Sequence, residues 1–490
     1  MRKPFFLLLI VFTAGMAIMA VEMSASRLLA PYFGTSLFVW TNLIGSTMIA
    51  LTLGYYFGGK LADRYPKAQV LYWLLFAAGC YIVLIPFIAK PIMQFAVNAI
   101  DQRNVTVFLW SLIATVAQFF IPLVLLAMTA PFAIRICARE IRAMGTTAGK
   151  LYALGNVGSI IGTFLPALVT IPLIGTKRTI ILCGLLLIVL SLIGLRKHLM
   201  HIATVGAVLL LFLGGPIKET AGLIFEDESV YNYIQVVENQ GKHELVLNEG
   251  HAIHSVYDPN AVLVGGVWDY FLLFPQAKPD SQSALIIGLA GGTISRAYNE
   301  YYPQIAVTGV EIDPQILDIA KEYFGLQDQT ALVSVAADGR TYLRKAQNHF
   351  DLIFIDAYKQ PYIPFHLATK EFFEEVDMHL TPEGIAAINV GAVSADAEIL
   401  TLLANTMASV FPVVQILEVP GSLNFIVFGS TTSYDLERLN IPHQELAALQ
   451  QSIRGKITPA ALDSEKTVFT DDLAPVEFYT EKMLMQYAAT

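Results

Sequence analysis

Between Ala284 and Asp356 the chain alternates short apolar runs with amphipathic segments, and each run closes on a glycine or a single acid. It reads ALIIGLAGGTISRA, then VTGVEID, then VSVAADG, then FDLIFIDAY. Ala284 to Ile287 reads as a buried strand that ends at Gly288, and Gly291 and Gly292 open an amphipathic helix. Strand, glycine turn and helix in that order belong to a doubly wound α/β sheet, and the turn is expected to offer backbone N–H groups to a ligand. Glu311 follows Gly288 by 23 positions, near the roughly 20-residue spacing at which a second-strand acid reaches ribose hydroxyls. An adenosyl ligand is the expectation.

Charge divides the chain near Pro216. Residues 1–216 hold four acids (Glu22, Asp63, Asp101, Glu140) against 16 basic residues, a net +12, which leaves −21 of the total −9 for the remainder. Mean hydropathy is +0.56. A basic apolar half followed by an acidic one predicts a membrane domain joined to a soluble domain, and the acidic half is no partner for nucleic acid. Apolar runs near 4–22, 38–58, 70–89, 105–127, 151–174, 179–195 and 199–215 approach the ~20 residues that span a bilayer, so about seven helices are expected.

Basic clusters at Arg2 and Lys3, at Lys60, Arg64 and Lys67, at Arg135 to Lys150, and at Arg196 and Lys197 mark cytoplasmic loops of an inner, multi-pass membrane protein. Seven crossings from a cytoplasmic N-terminus would export the acidic half, whereas a cytosolic nucleoside-like ligand needs it inside. Either one run does not cross, 199–215 being the shortest, or the first charges do not set orientation; the soluble half is placed in the cytoplasm. Cys80, Cys137 and Cys183 all lie in or beside the apolar runs, so neither a disulfide framework nor a zinc site is expected, and no metal. Gly155, Ser159 and Gly162 share a helical face suited to close packing. Glu22 either pairs with Arg27 or sits at the interface, and GGKLADR at Gly58–Arg64 resembles the loop signature of major facilitator transporters.

From Glu228 the apolar period changes to two, in SVYNYIQVVE and HELVLNEG, which predicts a small antiparallel subdomain over 226–275 ahead of the nucleotide-binding unit at 276–490. After Asp356 the helical EFFEEVDMHL, the strand GIAAINV and later strands near VVQILEV and NFIVFGS predict a sheet of about seven strands with an antiparallel finish.

Over roughly residues 226–430 these features together resemble the spermidine synthases, the polyamine aminopropyltransferases, and the whole chain resembles their membrane-fused subgroup. Tyr231, Asn232, Ile234 and Val236 match the family's Y-Q-x-I-x-V strand, and Leu245, Leu247 and Asn248 loosely match its L-x-L-D-G turn. GLAGGT is similar to the G-G-G-D-G-G turn. The resemblance implies a Rossmann-like S-adenosylmethionine-dependent transferase domain, with Glu311 on ribose, Asp338 and Gly339 on the adenine side and Asp356 as the catalytic acid. It also implies S-adenosylmethionine or its decarboxylated form as a substrate, a polyamine acceptor and a homo-oligomer.

Gly291 stands where the family turn has an Asp, and Lys359 replaces the second Asp of its D-S-S-D segment. A diamine arrives largely dicationic, so the loss of two carboxylates weakens the case for an amine acceptor. Methyl transfer, or attack by the ligand's own carboxylate to release methylthioadenosine, stays open beside aminopropyl transfer, with Lys359 as a partner for that carboxylate. A transporter or sensor whose soluble half is a ligand-binding regulator stays open too. Asp356 could equally cap the turn after its strand, Asp338 could cap a helix, and Asp313 is expected to cap the helix after Pro314. Tyr358, Tyr231 and Trp268 are candidate walls of the substrate site, and His254 and Asp269 approach it from the hairpin side. TDDLAPVE at Thr470–Glu477 is an acidic segment that could close the site.

Overall fold

The computed structural model describes residues 3–34, 37–103, 107–137, 144–195, 217–248, 252–359 and 362–488. They form two compact units: Met1–Thr220 with Glu226–Tyr233, and Ala221–Phe225 with Ile234–Thr490.

The first unit is helical: Lys3–Phe33, Leu37–Arg64, Ala68–Arg103, Val107–Ala127, Thr129–Cys137, Met144–Leu165 and Ile171–Leu195. Small residues let two of these touch backbone to backbone. A Cβ on Gly158 would lie 2.0 Å from the Phe12 carbonyl, one on Gly162 would lie 2.1 Å from that of Met16, and Ser159 Oγ donates to Gly15 O at 3.2 Å. Gly175, at φ 80° and ψ 165°, breaks the last helix, and Glu228 caps the restart by accepting from Thr176 N at 2.8 Å and Thr176 Oγ1 at 2.6 Å. GGKLADR ends a helix, where Asp63 pairs with Arg135 at 3.0 Å.

The expectation of about seven spans is met only in part. Among the described residues, four stretches are long and apolar enough to cross a membrane: Phe5–Phe33, Ala68–Ala96, Leu109–Cys137 and Met144–Leu195. The runs 151–174 and 179–195 lie on either side of the non-helical Gly175, within the 52-residue stretch Met144–Leu195. The run 38–58 forms most of the helix Leu37–Arg64, which is not among those four stretches. The run 199–215 lies outside the described residues.

Four short strands, β1 (Leu223–Glu228), β2 (Tyr233–Asn239), β3 (Lys242–Leu247) and β4 (Ile253–Tyr257), form a sheet in sequence order. Gln240 and Gly241, both at positive φ, make the two-residue turn that fixes the antiparallel register Asn239↔Lys242.

The larger sheet contains β5 (Ser283–Ile287), β6 (Ala306–Glu311), β7 (Leu332–Ala336), β8 (Phe350–Ile355), β9 (Leu380–Gly391), β10 (Val413–Glu418), β11 (Asn424–Ser430) and β12 (Ile457–Ala460). Its order is β12-β10-β11-β9-β8-β5-β6-β7. The central five strands are parallel and the last three antiparallel, so the sheet is mixed. The strand beyond the expected seven is β12, a four-residue edge containing Pro459, too short and too polar to register as an apolar run. Alternate residues of the central strands bury on opposite faces: Leu285, Ile287, Ile353 and Ile355 in one core, Ala284, Ile286, Leu352 and Phe354 in the other. Because β5 is flanked by β6 on one side and β8 on the other, the chain reverses direction across the sheet there, and the carboxyl ends of these strands form the crevice where open α/β sheets bind ligands.

Candidate active site

Asp356 follows β8 directly, and its main chain is locked to the neighbouring strand by an N–H bond to Ile287 O at 2.8 Å. Gly288 then turns away at φ 91°, and a Cβ there would lie 2.4 Å from the Asp356 carbonyl oxygen. Only glycine meets both conditions. The Asp356 carboxylate accepts from Asn389 Nδ2 on β9 at 2.8 Å and from Trp268 Nε1 at 2.9 Å. Burial pushes its pKa up to about 6, against which the Asn389 and Trp268 hydrogen bonds favour the charged form. Asn389 is itself oriented: its Oδ1 accepts from Asn424 Nδ2 at 2.9 Å, and Asn424 Oδ1 accepts from Ser422 Oγ at 2.7 Å. The chain of donors runs from Ser422 to Asp356 in one direction.

Glu311, the last residue of β6, is buried beneath the glycine turn. Its carboxylate accepts from Ala290 N at 2.9 Å and Asp313 N at 3.1 Å, and burial raises its pKa to about 7. The turn differs from the expectation of free N–H groups. Gly288 N and Leu289 N donate to Val310 O, Ala290 N to Glu311, Gly291 N to Ser255 Oγ and Gly292 N to Leu289 O. Every amide from 288 to 292 is therefore used within the protein, and carboxylates rather than backbone donors face the crevice. A Cβ on Gly291 would lie 2.7 Å from Ser255 Cβ and 3.0 Å from the Phe324 ring, so the missing turn acid has no room here.

Asp338 follows β7 and caps the helix Gly339–Lys345 by accepting from Thr341 N at 2.8 Å. Its other oxygen lies 3.3 Å from His366 Nε2. Burial opposes its ionisation, but Thr341 and the His366 ring hold its pKa below the usual carboxylate value. Asp313 caps the helix Pro314–Tyr323 through Gln315 N at 3.1 Å.

Of the remaining candidates, Trp268 joins the Asp356 cluster. Tyr358 lies beside it, with its hydroxyl donating to Asn389 O at 3.0 Å and accepting from Gly391 N at 2.7 Å. Asp269 does not contribute, since its carboxylate is taken by Val264 N at 3.2 Å and Gly265 N at 2.7 Å and shapes its own loop. Lys359 is exposed, and its main chain bridges Tyr362. His254 lies in β4 with Nδ1 enclosed and without a partner among the described residues, and burial lowers its pKa to about 4. Tyr231 and Asn232 lie in a tight turn of the first unit closed by Ser229, whose Oγ accepts from both their N–H groups. In TDDLAPVE, Asp471 accepts from Arg340 Nη1 at 2.6 Å, Arg340 Nη2 at 2.9 Å and Thr369 Oγ1 at 2.7 Å. The same buried guanidinium holds Glu375 and the His366 carbonyl.

Sequence reasoning missed Asn389, Asn424, Ser255 and His366. Asn389 carried a signal: it is the one amide in the apolar strand GIAAINV. His366 and Ser255 reach the site only through tertiary contact.

The arrangement places three acids, Glu311, Asp338 and Asp356, after three strands of one sheet edge. Glu311 and Asp338 keep acceptor capacity for hydroxyl and amino donors, and Asp356 is a carboxylate whose pKa burial raises to about 6. Residues 273–430 match the spermine/spermidine synthase domain family. A probable polyamine aminopropyl transferase of Bifidobacterium longum (strain NCC 2705) is 33% identical over 277 residues, covering 52% of this chain and 61% of that protein. The eEF1A lysine and N-terminal methyltransferase of Bos taurus is 28% identical over 155 residues, covering 29% of this chain and 22% of that one. Among solved structures, a probable spermidine synthase from Corynebacterium glutamicum aligns with 20% identity and a TM-score of 0.40, over 50% of this chain and 91% of its own. The likeness to the spermine/spermidine synthase domain family thus falls on residues 273–430, in the C-terminal half, and the chain spans 61% of the length of the Bifidobacterium relative.

Proposed function

We propose that this chain is a membrane-anchored transferase of the spermidine synthase type, which moves the aminopropyl group of decarboxylated S-adenosylmethionine to an amine. The carrying observation is Asp356: a carboxylate at the ligand-binding edge, held on both oxygens and raised to about 6. A base so poised is ionised at neutral pH and still accepts a proton. In the reaction an amine nitrogen attacks the methylene carbon attached to the sulfonium, the carbon–sulfur bond breaks, methylthioadenosine leaves and Asp356 takes the amine proton. Trp268 and Asn389 hold the acceptor oxygens in place during the displacement, a contribution of alignment. Glu311 binds the ribose hydroxyls and Asp338 the adenine side, with Gly288, Gly291, Gly292 and Gly339 shaping the backbone around them. Tyr358 and Lys359 complete the acceptor side in this reading.

Methyl transfer is the second reading. Gly291 packed on Ser255 and the exposed Lys359 both remove acids that a polycation would use, and a methyltransferase stands among the relatives. Four incubations separate the readings: S-adenosylmethionine or its decarboxylated form, each with and without putrescine. Methylthioadenosine formed with decarboxylated ligand and putrescine together supports aminopropyl transfer. S-adenosylhomocysteine supports methyl transfer, and methylthioadenosine from S-adenosylmethionine alone supports self-cleavage.

A further inference from the structure

The helical unit encloses polar groups that its own packing leaves over. Glu22 on the first helix is 6% exposed and, among the described residues, has no hydrogen-bond or ion-pair partner. Thr47 Oγ1 on the second helix and Gln118 Oε1 on the fourth are enclosed and likewise without a partner. Gln118 Nε2 donates to Ala114 O at 3.1 Å and lies 3.5 Å from Met93 Sδ. Both of these are acceptors, which fixes the amide orientation and leaves the oxygen as its open end.

Helix registers bring the three to one level. The second and fourth helices run parallel, since Asn42 bonds Ser111 and Gly58 abuts Met128, and that offset sets Thr47 level with Val116 and Ala117, within two residues of Gln118. The first helix runs against the second, because Ser26 and Leu43 line one cavity beside Gly34 at the joined ends of the two helices, and this sets Glu22 level with Thr47. A small cavity lies one turn away, lined by Ser26, Arg27, Gly34, Val39, Trp40 and Leu43. Ser26 is four residues after Glu22 and Leu43 four before Thr47, so the cavity continues along the helix faces that carry both.

We propose that Glu22, Thr47 and Gln118 form a site for a monovalent cation inside the helical unit, reached through this cavity. An acid buried in an apolar bundle marks an ion or substrate path. The open atoms are all oxygen acceptors and carry a single negative charge, which suits one positive charge. Divalent ions draw more carboxylates than the single one offered here. An alkali ion and a small alkylammonium share the required chemistry.

The test is calorimetric titration of the full chain in nanodiscs with sodium, potassium and methylammonium. Saturable binding of at least one is expected, and the probe that binds tells alkali ion from ammonium. Glu22→Gln should weaken it by about ten- to a hundredfold, the loss that goes with a charged hydrogen-bond partner, while leaving transfer chemistry in the other unit unchanged. If Glu22→Gln does not insert, Thr47→Val reads the same site, with a loss of about fivefold expected. No saturable binding of any probe overturns the proposal, as does wild-type affinity in the variant that decides.

Discussion

Asp356 is pulled in two directions: burial drives its pKa up to about 6, and the hydrogen bonds from Asn389 and Trp268 draw it down. For the proposed base, activity requires the ionised form, so kcat/KM should rise with pH through about 6. Removing either donor destabilises the carboxylate, and Asn389→Ala and Trp268→Phe should each move this acid limb upward, Asn389→Ala further. A pH–rate profile checks this, and an unmoved limb would assign the titration to another group. Asp356→Asn should lower kcat by about 10²–10⁴-fold, the range for a lost general base, with little change in ligand affinity. Glu311, raised to about 7, titrates in the same window. Its protonation should weaken ribose contacts, so Glu311→Gln should raise the KM for the sulfonium ligand more than it lowers kcat.

The glycine turn shows at the element scale how a family position can change. Gly291 donates its N–H to Ser255 of β4, and a side chain at 291 would strike the Ser255 Cβ. Gly291→Asp should therefore lower the melting temperature, and adding Ser255→Gly should recover part of the loss by opening room. Equal melting of Gly291→Asp and wild type would refute the contact. The helix Gly339–Lys345 depends on a second device, buried Arg340 held between Glu375 and Asp471. Arg340→Ala takes the guanidinium from Asp471 and leaves Glu375 with Arg344 alone, and should cost about 1–3 kcal/mol, read by denaturant unfolding. Asp471→Asn should be milder, since Glu375 remains, and should leave the Asp356 pH limb unmoved. The strands and acids of this half were legible because alternation and apolar runs mark them directly. The engagement of each turn amide was not, because Ser255 and Val310 meet the turn only after β4 and β6 are in place.

On the scale of the whole molecule, the charge division predicted two parts, and two compact units are present. Their boundary was less legible, since Glu226–Tyr233 groups with the helices through contacts such as Glu228 on Thr176, which no local pattern encodes. The number of spans was less legible, because the runs 151–174 and 179–195 fall in one apolar stretch whose only break is the turn at Gly175. With four apolar stretches the full chain should remain in the membrane fraction after an alkaline carbonate wash, and release into the supernatant would refute membrane anchoring.

The most direct test of the central claim is the product stoichiometry of the purified full chain with decarboxylated S-adenosylmethionine and putrescine. One methylthioadenosine per aminopropylated amine, formed only when both substrates are present and lost in Asp356→Asn, is the predicted result. Methylthioadenosine released at the same rate without the amine, or equal turnover by Asp356→Asn, would contradict it.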